Sequence, residues 1–237
     1  MNVVLLRVGI DTGCGGIHSP LFKDGTFEFV PIPDSRGFDE RTYGNTRGRM
    51  SRVFAEYFPE RRQRHMTSSA MHVDPEFETF TYGDPTPPKR GLSKIKPGDL
   101  LVFYAGMEGW GHSQPPALYL AGYFRVELAG FATDFSRAQL RREFGQNYHV
   151  RHPKVFAAQR ETLLLIKGGK GSRLFRKAHL VGVTVRRSNG SYWQMITPKM
   201  KKVFGTFGGI GSLQRSTPRW VEEKLLSKAE RFVEALQ

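Results

Sequence analysis

Apolar residues in this chain come in short runs closed off by turn-forming residues, a pattern that favours strands over long helices. Residues 3–10, 99–105, 117–126, 162–166, 180–185 and 192–196 are such runs. The first leads into the glycine-rich turn Asp11-Thr12-Gly13-Cys14-Gly15-Gly16, Asp24-Gly25 predicts a hairpin over 21–31, and Asn189-Gly190 predicts a type I′ turn between the last two runs. Three segments carry helical spacing instead. Met50, Val53, Phe54, Tyr57 and Phe58 predict a helix over 46–58 that Pro59 stops; Ser136 is placed to cap a helix over 137–144; and from Pro218 onward Trp220, Val221, Leu225, Leu226, Ala229, Phe232, Val233 and Leu236 predict a closing amphipathic helix. A Pro/Lys loop over 83–97 resembles a boundary. The expectation is one α+β domain over 1–237, with a β-rich part at 1–90 and a basic part at 91–237.

The chain has 237 residues, of which 39% are hydrophobic, enough for a real core. One cysteine, Cys14, excludes an internal disulfide framework and a cysteine-rich zinc site. The sequence contains neither an apolar run long enough to span a bilayer nor the features of a signal peptide, so a soluble, cytoplasmic protein without a membrane partner is expected.

Charge is unevenly spread. Residues 1–136 carry 15 Lys+Arg and 16 Asp+Glu, residues 137–237 carry 21 and 6, and the whole chain is +14. Between Glu161 and Glu222 there is no carboxylate, while Lys167, Lys170, Arg173, Arg176, Lys177, Arg186, Arg187, Lys199, Lys201, Lys202, Arg215 and Arg219 fall in that interval. A surface that only aids solubility normally mixes both signs, so this field points to a polyanionic partner.

Individual motifs narrow the chemistry. Asp11-Thr12-Gly13 lacks the second Asp that an aspartic protease needs, and the further acidic phosphate loop of sugar kinases is absent. Lys167-Gly168-Gly169-Lys170-Gly171-Ser172 does not have Walker spacing, although its amides with Lys170 and Arg173 are suited to gripping a phosphate; an ordinary hairpin tip fits equally. In His72-Val73-Asp74-Pro75 an extended backbone puts the imidazole and the carboxylate on one face. That pair suits a general base with its orienter, or two metal ligands, or an Asp-Pro turn beside a surface histidine. His149-Val150-Arg151-His152 is similar in kind and weaker in implication.

The segment Arg7-Val8-Gly9-Ile10-Asp11-Thr12-Gly13-Cys14-Gly15-Gly16-Ile17-His18-Ser19-Pro20, continuing through Asp24-Gly25 to Pro31-Ile32-Pro33-Asp34, resembles the nucleotide modification associated domain family of the third type. The likeness extends through His72-Val73-Asp74-Pro75 and Gly98-Asp99-Leu100-Leu101-Val102-Phe103 and covers roughly the first half of the chain. It implies a place in the DNA modification and restriction systems of bacteria and phages. Within it, Lys96-Pro97-Gly98-Asp99-Leu100-Leu101-Val102-Phe103-Tyr104 and Leu120-Ala121-Gly122-Tyr123-Phe124-Arg125-Val126 look like the core of PUA-like barrels of the ASCH and EVE groups. That resemblance implies a mixed or antiparallel barrel-like core with flanking helices and a cleft for an extruded base, with Tyr104 and Tyr123 as stacking faces; equally, these aromatics would fill a small barrel.

Two functions follow. One is an enzyme on DNA, of nuclease or base-excising glycosylase type, with Asp11, His72 and Asp74 catalytic. The other is a non-catalytic reader of modified bases in DNA or RNA. Both would use Lys167, Lys170, Ser172, Arg173, Arg176, Lys199, Lys201, Lys202, Arg215 and Arg219 to hold the backbone. No metal ligand is assigned, and the cofactor, the choice between DNA and RNA, and the oligomeric state are left open by the sequence.

Overall fold

The computed structural model describes residues 1–214 and 217–236, so the expectation for Arg215 lies outside the described residues. In chain order the elements are β1 (Val3–Arg7), β2 (Ser19–Leu21), β3 (Ile32–Pro33), α1 (Glu60–Thr67), β4 (Met71–His72), β5 (Thr81–Asp84), β6 (Leu100–Gly109) and β7 (Ala117–Phe131). There follow α2 (Arg137–Phe144), α3 (Tyr148–Arg151), α4 (Pro153–Gln159), β8 (Leu164–Gly168), β9 (Arg173–Arg186), β10 (Tyr192–Ile196), α5 (Pro198–Phe204), β11 (Arg219–Trp220) and α6 (Leu226–Ala235).

The α+β class is as expected, built on a nine-stranded mixed sheet in the order β10-β9-β7-β6-β1-β11, with β2, β8 and β5 branching from it. Strand β6 runs parallel to β1 and β2 and antiparallel to β7. Among the described residues β10 and β11 do not pair, although Met195 of β10 bridges Ser212 ahead of β11, so the sheet is no closed barrel and does not establish the barrel-like core that was expected. Strand β7 divides its pairing along its length: residues 118–123 pair with β9, and residues 126–131 pair with β8 instead.

Val3, Val4, Leu5 and Leu6 are fully buried because β1 has strand neighbours on both sides and apolar packing on both faces. The Gly98-Asp99 turn fixes where β1 meets β6. Asp99 is 2% exposed and accepts from the Asn2 amide at 2.6 Å and the Lys96 amide at 2.9 Å.

Several local expectations are met. Ser136 caps α2, with Gln139 returning a bond to the Ser136 amide. The β9–β10 hairpin forms, but Arg187 N–H bonds to Ser191 O across a three-residue loop with Gly190 at φ +80°, so it is not a two-residue type I′ turn. Others are corrected. Residues 46–58 are mostly loop, ending in a 3-10 turn over Phe54–Tyr57, because the buried Glu28 carboxylate accepts from the Arg49 and Met50 amides and pulls that backbone out of helical geometry. Pro59 follows the end of that short 3-10 helix and stands at the N-cap of α1. The stretch read as a boundary loop contains a 3-10 helix, Pro87–Lys94, with Leu92 fully buried. Residues 218–221 are extended because β11 pairs with β1, which delays the last helix to Leu226.

An ion cluster holds α3 in place. Asp39, whose side chain is fully buried, binds Arg41 at 3.2 Å, lies 3.6 Å from His152 and pairs with Arg151 at the end of α3, while Arg41 reaches Glu76 at 3.0 Å. Burial alone would raise the Asp39 carboxyl, but the bonds from Arg41 and the charge of Arg151 outweigh it and hold it below the usual carboxylate range. Asp39→Ala should cost about 3–5 kcal/mol by urea unfolding, the range for stranding one side of a buried pair. The Asp39 contribution is present above the unfolded aspartate value of about 4 and is lost as pH falls through the lower folded value. Wild-type and Asp39→Asn stabilities should therefore converge in acid.

Candidate functional site

A cavity of about 530 Å³ is lined by the turn after β1, the β3–β4 ribbon, β5, α3 and the end of α4. Its size is in the range of small-molecule sites. Strand β4 pairs Met71 and His72 with Pro33 and Ile32, which aims His72 at the cavity, and Asp74 follows two residues on. Helix α3 brings in His149. Buried Asn147 caps this helix by accepting from the His149 amide at 3.1 Å.

Three side chains meet there. His149 Nε2 lies 3.2 Å from His72 Nε2 and 3.3 Å from Asp74 Oδ2. On its other side His149 Nδ1 is 2.7 Å from Gln159 Oε1, and the Gly83 amide donates to Asp74 Oδ2 at 2.9 Å and Oδ1 at 3.2 Å. The Tyr148 ring lies against His72 with centroids 3.9 Å apart. The Asp74 and His149 side chains are each only 4% exposed. Burial pushes the Asp74 carboxyl up to about 6 and, with the neighbouring His149, draws His72 down to about 3. Burial also acts downward on His149, but the hydrogen bond and charge of Asp74 outweigh it and raise it. Two neighbouring imidazoles are thus shifted in opposite directions, His149 toward its charged form by Asp74 and His72 toward its neutral form by burial.

Asp11 lines the same cavity and is tied down. Its Oδ1 accepts from the Gly13 and Cys14 amides at 2.8 and 3.0 Å, and Oδ2 pairs with Arg7 at 3.1 Å. Neighbouring Cys14 is no ready nucleophile: desolvation and the Asp11 carboxylate push its thiol up to about 11. Lys89, on the cavity wall, is 8% exposed, donates to the Arg7 carbonyl at 3.3 Å and is lowered by burial.

The structure thus gathers Asp11, His72 and Asp74 around one cavity, adds His149 from the motif that carried the weaker implication, and adds Gln159 and Lys89, which sequence reasoning missed. The motif 149–152 marked His149 in the sequence, but its pairing with His72 spans 77 residues and could not be read there.

The basic residues divide. Lys170, Arg176, Lys199, Lys201 and Lys202 are exposed. Lys167 donates to the Thr79 carbonyl, buried Ser172 accepts from the Arg125 amide, Arg173 packs over Tyr123 and donates to its hydroxyl, and Arg219 is half-buried in β11. Tyr104 and Tyr123 are 0% and 1% exposed, and Tyr104 donates to the Leu213 carbonyl. Their rings are core packing and offer no face to a base, which corrects the expectation drawn from the barrel resemblance.

The sequence profile described as nucleotide modification associated domain 3 matches residues 2–235. The chain belongs to that family. Comparison with curated proteins and with solved structures gives no match. Membership associates the chain with nucleotide modification and hence with nucleic acid, and the matched region contains every residue of the cavity. No helix among the described residues is long and apolar enough to cross a membrane.

Gly83 governs how closely β5 approaches α3. A Cβ there would sit 3.0 Å from both Asn147 Oδ1 and His149 Cδ2. Gly83→Ala should destabilise the protein by about 1–3 kcal/mol in chemical denaturation and shift the His149 imidazole resonances in NMR spectra. Unchanged resonances would show that the contact between β5 and α3 is loose.

Proposed function

We propose that the chain is an enzyme of a DNA modification or restriction system that takes a nucleotide unit into the cavity and acts hydrolytically on its base or on the adjoining strand. The observation that carries this reading is the convergence of His72, Asp74 and His149, with Asp11 on the same wall, in a cavity of nucleotide-compatible size. Hydrolysis at a glycosidic carbon or a phosphorus requires water to be positioned and a leaving group to be stabilised. The buried polar group formed by these side chains supplies both functions where bulk water is limited. Arg36, an exposed lining residue, adds positive charge for a phosphate.

The surface supports a polyanionic partner. On the β9–β10 hairpin Arg187 lies over Trp193 with its guanidinium 4.6 Å from the ring, and Tyr192 is 63% exposed. Arg186 is exposed beside them, and Lys199, Lys201 and Lys202 follow on α5. Exposed aromatics interleaved with arginine suit unstacked bases and their backbone. Strand β10 also reaches the cavity: Gln194 accepts from Arg7, a lining residue, at 2.7 Å.

End-labelled DNA, unmodified or carrying modified bases, should give discrete products on a denaturing gel, directly for strand cleavage or after hot alkali for base excision. Asp74→Asn and His149→Ala should lower turnover by about 10²–10⁴-fold while binding stays near wild type. DNA that stays intact yet shifts on a native gel would replace the enzyme with the reader, and tighter binding of RNA competitors at equal salt would replace DNA as the partner. Binding should weaken steeply with salt, by a slope of about −0.9 per phosphate neutralised. Trp193→Ala should cost about 1–3 kcal/mol of affinity for single strands. A flat salt response would remove the electrostatic part of the reading.

A further inference from the structure

We propose that His72, Asp74 and His149 bind one divalent transition-metal ion, of the class that zinc, cobalt and ferrous iron represent. The proposal deepens the enzymatic reading above and rests on it only for the use to which the ion is put.

Three donor atoms converge: the two imidazole Nε2 atoms and a carboxylate oxygen, all within 4.8 Å of one another. Two of the separations, 3.2 and 3.3 Å, match the edge of a tetrahedron around a cation with bonds of about 2.0–2.1 Å, roughly 3.3 Å. The second layer orients the donors. Gln159 Oε1, 2.7 Å away, accepts from His149 Nδ1–H, which leaves the Nε2 lone pair of a neutral imidazole aimed at the other two donors. The Gly83 amide, donating to both Asp74 oxygens, fixes the carboxylate. Ligating histidines characteristically have their remaining N–H bonded in this way.

Neutral Nε2 lone pairs and a carboxylate pointed at one another repel unless something positive lies between them. A proton serves one pair of atoms at a time, whereas a metal ion would serve all three once His72 and Asp74, within 4.8 Å of one another, draw in to the same tetrahedral edge. Two imidazoles with one carboxylate favour a transition metal over magnesium or calcium, which prefer all-oxygen sites. All three residues line the cavity, so an ion held by them would face the space assigned to substrate.

The test uses untagged full-length protein, stripped with chelator and checked for folding by circular dichroism, then titrated with Co²⁺ while the visible absorption is recorded. One Co²⁺ per chain with d–d bands of a nitrogen- and oxygen-ligated site, displaced by one equivalent of Zn²⁺, is the expected result. His72→Ala and His149→Ala should abolish the bands. Gln159→Leu should weaken affinity by about 10–100-fold, and Gln159→Glu, which keeps the acceptor, should restore it. Folded wild-type protein that takes up no Co²⁺ at micromolar concentration overturns the proposal whatever the variants do, and so does uptake that survives both histidine substitutions. Failure of the two readings is distinguishable. A stoichiometric cobalt site in protein that leaves every DNA intact keeps the metal and removes the enzyme, whereas DNA processing that persists after chelation, without cobalt uptake, removes the metal alone.

Discussion

Strand β7 makes backbone hydrogen bonds to three other strands, and the fold depends on how one continuous segment serves all of them. Its first residues lie between β6 and β9, and its last residues leave β9 for β8. Register irregularities near Leu120 and Val126 absorb the change of direction. A flat strand would have to leave one partner unpaired, with a cost for each buried amide. By turning, β7 carries β8, and through it β5, away from the main sheet. That displacement leaves β5 facing α3 and the β3–β4 ribbon, which is where the cavity lies.

The cavity is therefore assembled from pieces that are individually weak. Strands β3 and β4 have two residues each, and α3 is a single turn. None would persist in isolation, since a two-stranded ribbon and a four-residue helix gain too little from their own hydrogen bonds. Their positions come from side chains instead: Asp39 gripping Arg41 and Arg151, Asn147 capping α3, and the Gly83 amide holding Asp74. A polar site built on short segments is bound to a polar scaffold.

What the sequence made legible were features whose cause is local. The Ser136 cap, the Asn189-Gly190 hairpin and the apolar runs of β1, β6 and β7 each follow from the chemistry of a few adjacent residues. The His72-x-Asp74 pairing belongs to the same kind, because alternation along an extended backbone is enough to align the two. What was underweighted or escaped notice depends on distant partners. His149 gains its meaning only from His72 and Asp74, and Glu28 overrides the helical spacing of 46–58 from some twenty residues away. The basic interval misled in another way, because a cation count does not reveal which cations are engaged. Arg173 and Lys167 are engaged inside the fold, whereas the lysines of α5 are free in solvent. Tyr104 and Tyr123 sit on strands with both faces covered, so aromatic content there reports packing density and nothing about ligands.

Arg7 has one guanidinium and three obligations. It reaches Gln194 of β10, the carbonyl of Gln214 and the Asp11 carboxylate of the glycine-rich turn, while its own carbonyl receives Lys89. Segments nearly two hundred residues apart in the chain are thereby riveted at a single point. The planar fork of a guanidinium tolerates little rotation before one of its bonds breaks, so the outer hairpin and the floor of the cavity cannot move independently. A displacement of β10 is thereby carried to the glycine-rich turn that lines the cavity.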